Sequence, residues 1–395
     1  MARIGIYGGS FNPPHIGHSL AAQEMIDHLQ LDRLLIMPAA TPPHKKLAEG
    51  SPTAENRLEL CRLAFAGIPK AEICDLEIRR QGMSYTVDTL AELREKFPFD
   101  ELYLIMGTDM LLTFEQWREP ERIASLAVLA VMHRTEDQKT WDAVRETSER
   151  LRRIYQAKIV MVENRCVDIS STTVRRLLLL GAPGDLEPSV EARILEHGWY
   201  LCGADLKGLP MDRLQETAML LYDEKRKAHA IGCCETARKL AEHWGCDADP
   251  AARAGILHDI TKAMGPTEQL HLCRKYGMVI TDLQRENPKL LHAKTGAAAA
   301  RAIFGESESV CSAIFWHTTG RAEMPLLEKI IYIADYMEPN RDFPGVEQLR
   351  ELVYRDLDAA VFLGLDFSVS LLRKQNRIID PDSLAAWNYY QKKSV

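Results

Sequence analysis

The run Ile4-Gly-Ile-Tyr-Gly-Gly-Ser-Phe-Asn-Pro-Pro-His-Ile-Gly-His18 constrains the first part of this chain more than any other stretch. Ile4 to Tyr7 is short and apolar, as a buried strand is. Gly8 and Gly9 follow, and a residue without Cβ lets backbone N–H groups come close to a phosphate. Pro13 and Pro14 stiffen the turn before His15 and His18, where a helix is expected to open. Spaced i, i+3, the two imidazoles face the same way at a helix N-terminus, whose dipole favours anions. That arrangement suits a nucleoside triphosphate attacked at its α-phosphorus. Two imidazoles can hold the oxygens on which charge grows, and no covalent nucleophile is needed.

Beyond this opening, the pattern alternates. Helices are expected over 19–30 and 52–66, and strands over 34–37, 73–78, 102–106 and 126–132. A further helix starts in Ser84-Tyr-Thr-Val-Asp-Thr-Leu90, with Ser84 or Thr86 as its cap. Strands and helices in this rhythm predict an α/β fold with a doubly wound, largely parallel sheet. Thr41-Pro-Pro-His-Lys-Lys46 falls at the end of the second strand, where ligands bind in such sheets. Asp168-Ile-Ser-Ser-Thr-Thr-Val-Arg175 reads as a hydroxyl-rich helix start that also offers donors to phosphate.

Ile194 to Tyr200 precedes a stretch rich in turn formers, Cys202-Gly-Ala-Asp-Leu-Lys-Gly-Leu-Pro210. The expected division is therefore a first domain at 1–202, a linker at 203–210 and a second domain at 211–395. From Met211 onward only helical patterns occur, over 211–225, 228–244, 250–258, 266–276, 293–304, 307–316, 325–335, 346–374 and 382–391, which predicts an all-α domain. Within it His229, His258-Asp259, His292, His317 and Asp335 recur at element ends, while His243 and His271 read as structural. Imidazole and carboxylate ligands together suit Fe, Mn, Co or Zn better than Ca or Mg. Six such ligands are enough for two metals, which could generate hydroxide and grip a phosphoryl group.

Composition narrows the partners. With 46% hydrophobic and 27% charged residues the chain is globular, and a net charge of −7 excludes a broad nucleic-acid surface. No apolar run reaches the roughly 18 residues of a membrane span, and no signal peptide precedes the first strand. Nine scattered cysteines without a Cys-x-x-Cys pair read as reduced thiols of a cytoplasmic protein. Cys233 and Cys234 point about 100° apart on a helix and read as structural. The sequence leaves homo-oligomerisation open.

Gly-Gly-Ser-Phe-Asn-Pro-Pro-His-Ile-Gly-His and Ile-Ser-Ser-Thr-x-Val-Arg resemble the two hallmarks of bacterial nicotinate mononucleotide adenylyltransferases. Pro43-His-Lys45, Tyr85-Thr-Val-Asp-Thr-Leu90, Met106-Gly-Thr-Asp109, Trp117 and His133-Arg134 stand where that family has its other motifs. The resemblance implies transfer of AMP from ATP to nicotinate mononucleotide, with Mg²⁺ on the leaving pyrophosphate. His15, His18 and Arg175 would be catalytic. Gly8, Gly9, Ser10, Phe11, Gly107, Asp109, Ile169, Ser170 and Ser171 would join them around ATP. Lys45, Tyr85, Thr86 and Trp117 would hold nicotinate mononucleotide, Trp117 by stacking on the ring. Because the His-x-Gly-His element is shared more widely, transfer to pantetheine phosphate is the competing reading.

The order His…His-Asp…His…His…Asp resembles the HD superfamily of metal phosphohydrolases. His317-Thr-Thr-Gly-Arg321, Leu327 to Asp335, Tyr336-Met-Glu-Pro339 and Arg341-x-Phe-Pro-Gly345 look like its bacterial YqeK-type branch, which hydrolyses diadenosine tetraphosphate symmetrically to ADP. The resemblance implies His229, His258, Asp259, His292, His317 and Asp335 as ligands of one or two transition metals, iron foremost, with Asp259 catalytic. Lys262 and Arg321 would meet the polyphosphate, and Arg341 is an equal candidate for that role and for a surface one. The competing readings are a nucleotide-sensing module without turnover, or hydrolysis of a different nucleotide.

Overall fold

The computed structural model describes residues 1–43, 46–132, 137–163 and 169–393; His44, Lys45, His133, Arg134 and Asp168 lie outside the described residues. The chain forms two compact units, Met1–Gly203 and Ala204–Val395. Among the described residues no helix is long and apolar enough to cross a membrane.

In the first unit the strands are β1 (Arg3–Gly9), β2 (Arg33–Pro38), β3 (Ala71–Ile73), β4 (Glu101–Gly107), β5 (Val128–Met132) and β6 (Ile159–Val162). Between and after them come α1 (Ile16–Leu29), α2 (Ala54–Phe65), α3 (Leu76–Arg80), α4 (Thr86–Lys96), α5 (Thr108–Leu112), α6 (Pro120–Leu126), α7 (Gln138–Tyr155), α8 (Ser171–Leu179) and α9 (Pro188–His197). The sheet is parallel throughout, in the order β3-β2-β1-β4-β5-β6. Its strands are apolar on both faces because both are covered. Ile4, Ile6, Leu35, Met37, Leu104 and Met106 enter one core. Tyr7, Leu34, Ile36, Tyr103 and Ile105 enter the other. Strand order reverses between β1 and β4, so the crevice beyond their carboxyl ends is the ligand position of such a sheet.

Local differences from the sequence expectation have local causes. The strand expected over 73–78 ends at Ile73, and Asp75, at φ −93° and ψ 13°, turns the chain into α3. There Leu76 and Glu77 are the buried residues, so Leu76 and Ile78, two apart, mimic a strand period. Neither Ser84 nor Thr86 caps α4: Tyr85 holds that position, while Ser84 Oγ accepts from the Ala40 N–H at 2.9 Å. The edge strand β6 is only partly buried, and its weak apolar signal left it unread.

The second unit is helical: α10 (Met211–Met219), α11 (Glu224–Trp244), α12 (Ala248–Leu257), α13 (Pro266–Lys275), α14 (Asp282–Glu286), α15 (Leu291–Ala302), α16 (Glu308–Trp316), α17 (Leu326–Met337), α18 (Val346–Leu352), α19 (Leu357–Lys374) and α20 (Pro381–Lys393). The single helix expected over 346–374 is two, because Asp356 leaves helical angles and its carboxylate accepts from the Ala359 N–H at 2.9 Å as a new N-cap. Residues 204–210 pack within this unit: Gly208 N–H donates to Phe304 O, and Arg253 to Leu209 O. Helices α11 and α12 come close at Gly255 of α12, where a Cβ would stand 2.8 Å from Cys234 Cα and 3.0 Å from Cys233 O. Both obstacles lie on the α11 backbone and cannot swing aside. Gly255→Ala is therefore expected to destabilise the second unit by about 1–3 kcal/mol, read as a lower urea midpoint of the helical circular dichroism signal. An unchanged midpoint would show that α11 and α12 can separate freely.

Candidate active sites

The first unit holds a cavity of about 440 Å³ at the carboxyl ends of β1 and β4. It brings together Gly8, Gly9, Ser10, Phe11, His15 and His18 from the opening run. Gly107 and Asp109 join from β4–α5, and Ile169, Ser170 and Ser171 from the approach to α8. Tyr85, Thr86 and Trp117 line it as well. A Cβ on Gly8 would meet nothing within 4 Å, so this backbone faces open space. His15 is the N-cap of α1, with its backbone N–H donating to His18 Nδ1 at 3.2 Å and the two ring centres 3.7 Å apart. A Cβ on Gly17 would press to 3.1 Å from His15 Nδ1, which explains a glycine between the histidines.

Asn12 ties the opening run to the end of the unit. Its side chain accepts from Tyr200 Oη at 2.7 Å and donates to Ser51 Oγ at 2.8 Å, and its carbonyl accepts from Arg175 at 2.6 Å. Ser171 Oγ donates to Pro13 O at 2.9 Å, and Ser170 caps α8 through the Thr173 N–H. Arg175 is thus engaged by Asn12 and Thr172 Oγ1 and is not among the lining residues. Lys45 lies outside the described residues.

Several contributors escaped the sequence reading. Arg57 is fully buried and donates to the carbonyls of Ser10 at 2.7 Å, Ala39 at 2.6 Å and Ala40 at 3.1 Å. Burial pushes its guanidinium pKa down. Peptide N–H and C=O groups point opposite ways, so turning the Ser10 and Ala40 carbonyls toward Arg57 turns the N–H groups of Phe11 and Thr41 away from it. In sequence it looks like one more charge on a mixed helix. Arg118 lines the cavity with its guanidinium 4.7 Å from the Tyr85 ring centre, and its carboxylate neighbours Asp88 and Glu119 are both 3.7 Å away. Its position directly after Trp117 was the available signal. Glu77 also lines the cavity; burial raises its pKa against hydrogen bonds from Thr89 and Ser84.

In the second unit all six expected ligands converge. His229 comes from α11, His258 and Asp259 from the end of α12, and His292 from the first turn of α15. His317 ends α16 and Asp335 lies on α17. Asp259 stands between two groups. On one side His229 Nε2 is 3.2 Å from both His258 Nε2 and Asp335 Oδ1, with Asp259 Oδ2 3.6 Å from His258 Nε2. On the other, His292 and His317 Nε2 are 3.2 Å apart and 3.3 and 3.4 Å from Asp259 Oδ1.

These residues fit a divalent metal. Each imidazole uses Nδ1 elsewhere: His258 toward Gly255 O at 2.7 Å, His292 toward Lys289 O at 2.5 Å, His317 toward Ile314 O at 2.7 Å, and His229 toward Glu338 Oε1 at 3.0 Å. A carbonyl accepts only from N–H, so in the neutral rings of His258, His292 and His317 it is Nε2 that carries the lone pair. Buried Asp259 Oδ1 has no hydrogen-bond partner although two such nitrogens flank it. Lone pairs packed against one another and against a carboxylate fit a cation between them. Burial lowers the His258 and His292 pKa to about 4, against the pull of nearby Asp259, which keeps both neutral. Burial acts against charge on Asp259 too, while the ion pairs of Lys262 with Oδ1 and Arg226 with Oδ2 favour it.

Lys262 Nζ reaches His292 Nε2 at 2.7 Å, and Arg226 donates to Asp259 Oδ2 at 2.6 Å. Arg341 donates to the Asp335 carboxylate. Arg321 instead forms a bidentate pair with buried Glu328, at 2.8 and 2.9 Å. Arg226 and Glu338 were not singled out in the sequence. Their signal was spacing, three residues before His229 and three after Asp335. Glu338 is itself fixed by the Asn340 N–H at 2.8 Å.

Comparison with known proteins agrees with this division. Residues 6–177 match the cytidylyltransferase-like family and residues 226–340 the HD domain family. A symmetrical bis(5'-nucleosyl)-tetraphosphatase of Halalkalibacterium halodurans is 44% identical over 42% of this chain and 88% of its own length. One from Bacillus subtilis is 38% identical over 42% of this chain and 89% of its own length. A protein of Shouchella clausii, named a probable nicotinate-nucleotide adenylyltransferase, is 33% identical over 51% of this chain and 97% of its own length. The two kinds of relative cover different halves. The chain therefore belongs to two families at once, the nicotinate-nucleotide adenylyltransferases through its first half and the HD-domain symmetrical bis(5'-nucleosyl)-tetraphosphatases through its second.

Proposed function

We propose that this chain is a bifunctional cytoplasmic enzyme. Its first unit joins ATP and nicotinate mononucleotide into deamido-NAD and pyrophosphate, and its second adds water to diadenosine tetraphosphate to give two ADP. The observation that carries the pairing is that each unit gathers its own set of reactive side chains in one place, with relatives of matching single function.

In the first unit a phosphate oxygen of nicotinate mononucleotide forms a bond to the α-phosphorus of ATP while the bond to the bridging oxygen of pyrophosphate breaks. Gly8 and Gly9 admit the triphosphate, and Ser10, Phe11, Ile169, Ser170 and Ser171 wall it. His15 and His18, at the dipole-favoured start of α1, hold the α-phosphoryl oxygens as charge grows. Gly107 and Asp109 take the adenosine ribose. Tyr85, Thr86 and Trp117 seat the pyridine ring, and Arg118 with the N-terminus of α4 draws its carboxylate. Arg175 steadies the loop through Asn12 and reaches phosphate only by releasing it; Lys45 completes the phosphate contacts. Mg²⁺ bound with ATP neutralises the leaving group.

In the second unit His229, His258, Asp335, Asp259, His292 and His317 hold one or two transition-metal ions, for which we propose iron. When bound, these supply a hydroxide at neutral pH and positive charge for the phosphate oxygens. Glu338 keeps the His229 tautomer, and backbone carbonyls keep the other three. Lys262 and Arg226 lie beside Asp259 and can turn to the polyphosphate, as can Arg341; Arg321 reaches it from its seat on Glu328.

Three outcomes are expected. His18→Ala lowers kcat for deamido-NAD formation by about 10²–10³-fold with little change in KM, since it acts on the developing charge; a raised KM with unchanged kcat would assign it to ground-state binding. Arg118→Gln raises KM for nicotinate mononucleotide about tenfold while leaving the amide substrate untouched, the effect of removing one charge-assisted contact. Loss on both substrates would put Arg118 elsewhere. Chelation, or Asp259→Ala, abolishes ADP release from diadenosine tetraphosphate. Deamido-NAD formation continues in the variant, and in the chelated enzyme once Mg²⁺ is restored. Hydrolysis by a chain shown to be metal-free would overturn the assignment of the second site.

A further inference from the structure

The second unit contains another hollow, of about 510 Å³, between the outer faces of α15 and α16. Most of its lining on both helices points away from the metal ligands. Lys294, Ala297, Ala298 and Arg301 stand about 140–240° around α15 from His292. Ser312 and Phe315 stand about 140° and 200° around α16 from His317. The hollow is therefore separate from the ligand cluster, although the same two helices build both.

Its lining has a definite chemistry. Tyr276, Phe315 and Trp316 offer aromatic faces, and Lys294 and Arg301 offer positive charge. Lys294 Nζ rests 5.1 Å from the Phe315 ring centre. Arg301 pairs with Glu308, but the two side chains are 59% and 79% exposed, so the pair is weak and exchangeable. Aromatic faces beside cations recognise a flat base carrying phosphate.

The hollow also touches the seat of Arg321. Ser312 Oγ donates to Glu328 Oε1 at 2.6 Å, and that carboxylate holds Arg321 by two hydrogen bonds. Trp316 lies under the Arg321 guanidinium, 5.8 Å from ring centre to Cζ. A molecule pressing on Ser312 and Trp316 thus alters both contacts that fix Arg321. We propose that this hollow is an effector site for a nucleoside phosphate, which adjusts hydrolysis through Arg321. Binding stands by itself; the effect on hydrolysis rests on the function proposed above. By linkage, substrate contact with Arg321 changes effector affinity by the same factor.

Hydrogen exchange on the full chain, with ADP as probe, tests the site. ADP is expected to protect residues 294–302 and 308–316 in the wild type and in Asp259→Ala alike, while adenosine gives no protection. The double variant Lys294→Glu, Arg301→Glu is expected to bind about tenfold more weakly there, having lost two charge-assisted contacts. Ala298→Phe, which fills the hollow and leaves both charges in place, must remove the protection too. In steady-state hydrolysis of diadenosine tetraphosphate the double variant keeps the wild-type kcat and loses the non-competitive part of inhibition by ADP. Protection confined to the metal ligands, or surviving both variants, overturns the site. Protection without that kinetic change overturns the link to Arg321. A wild type inactive toward diadenosine tetraphosphate strikes the hydrolase reading and leaves the exchange result to decide the site.

Discussion

Backbone groups left unpaired at helix ends decide where chemistry is placed in both units. A helix closes with carbonyls that have no partner and opens with N–H groups that have none. In the second unit three histidines use a backbone carbonyl in one geometry, two of them at closing helix ends. His258 and His317 each turn Nδ1 back to the carbonyl three residues earlier, at the ends of α12 and α16, and His292 does so to Lys289 at the entry to α15. One bond fixes both ring orientation and tautomer, so the Nε2 lone pairs meet without further support. The first unit exploits the second fact, with His15 as the N-cap of α1 and Ser170 as that of α8.

The two sites solve opposite electrostatic problems. The first receives a polyanion, and its means are dipoles and neutral donors beside a few cations held back by carbonyls, Arg57 and Arg175 among them. The second must keep Asp259 and Asp335 charged in a buried place. Isolated buried carboxylates would protonate or unfold the site, so Arg226, Lys262 and Arg341 are packed against them. Those cations balance the cluster. Breaking one partner leaves the other charge uncompensated, which makes this cluster sensitive to single substitutions.

The parallel sheet was readable because strands covered on both faces show as apolar runs, and the helices of the second unit because their apolar residues repeat every three to four. Weakly buried pieces were not: β6 hides in an edge, and α3 presents Leu76 and Ile78 two apart. The site was readable wherever chemistry demands a residue type in a fixed order, as in His-x-Gly-His or His-Asp. Arg57 had no such signature, since a buried arginine and a surface arginine look alike until its carbonyl partners are known. Arg118 and Glu338 stood one and three residues from marked positions, and only distance could promote them.

By itself the sequence determined an α/β unit followed by a helical one, the two motifs that close on the first cavity, and the six side chains that converge in the second unit. Local spacing suffices for the elements, because a helix or strand places neighbours on a face whatever surrounds it, and the motifs and the six side chains were legible through family resemblance. Tertiary structure decided which nitrogen of each histidine faces the cluster, that Asp259 stands between two groups of ligands, and that Arg175 and Arg321 are held by Asn12 and Glu328. It also decided that α15 and α16 carry a second lined hollow behind their ligands. Such facts depend on contacts between residues distant in the chain, and their energies come from burial and from partners that no local pattern specifies.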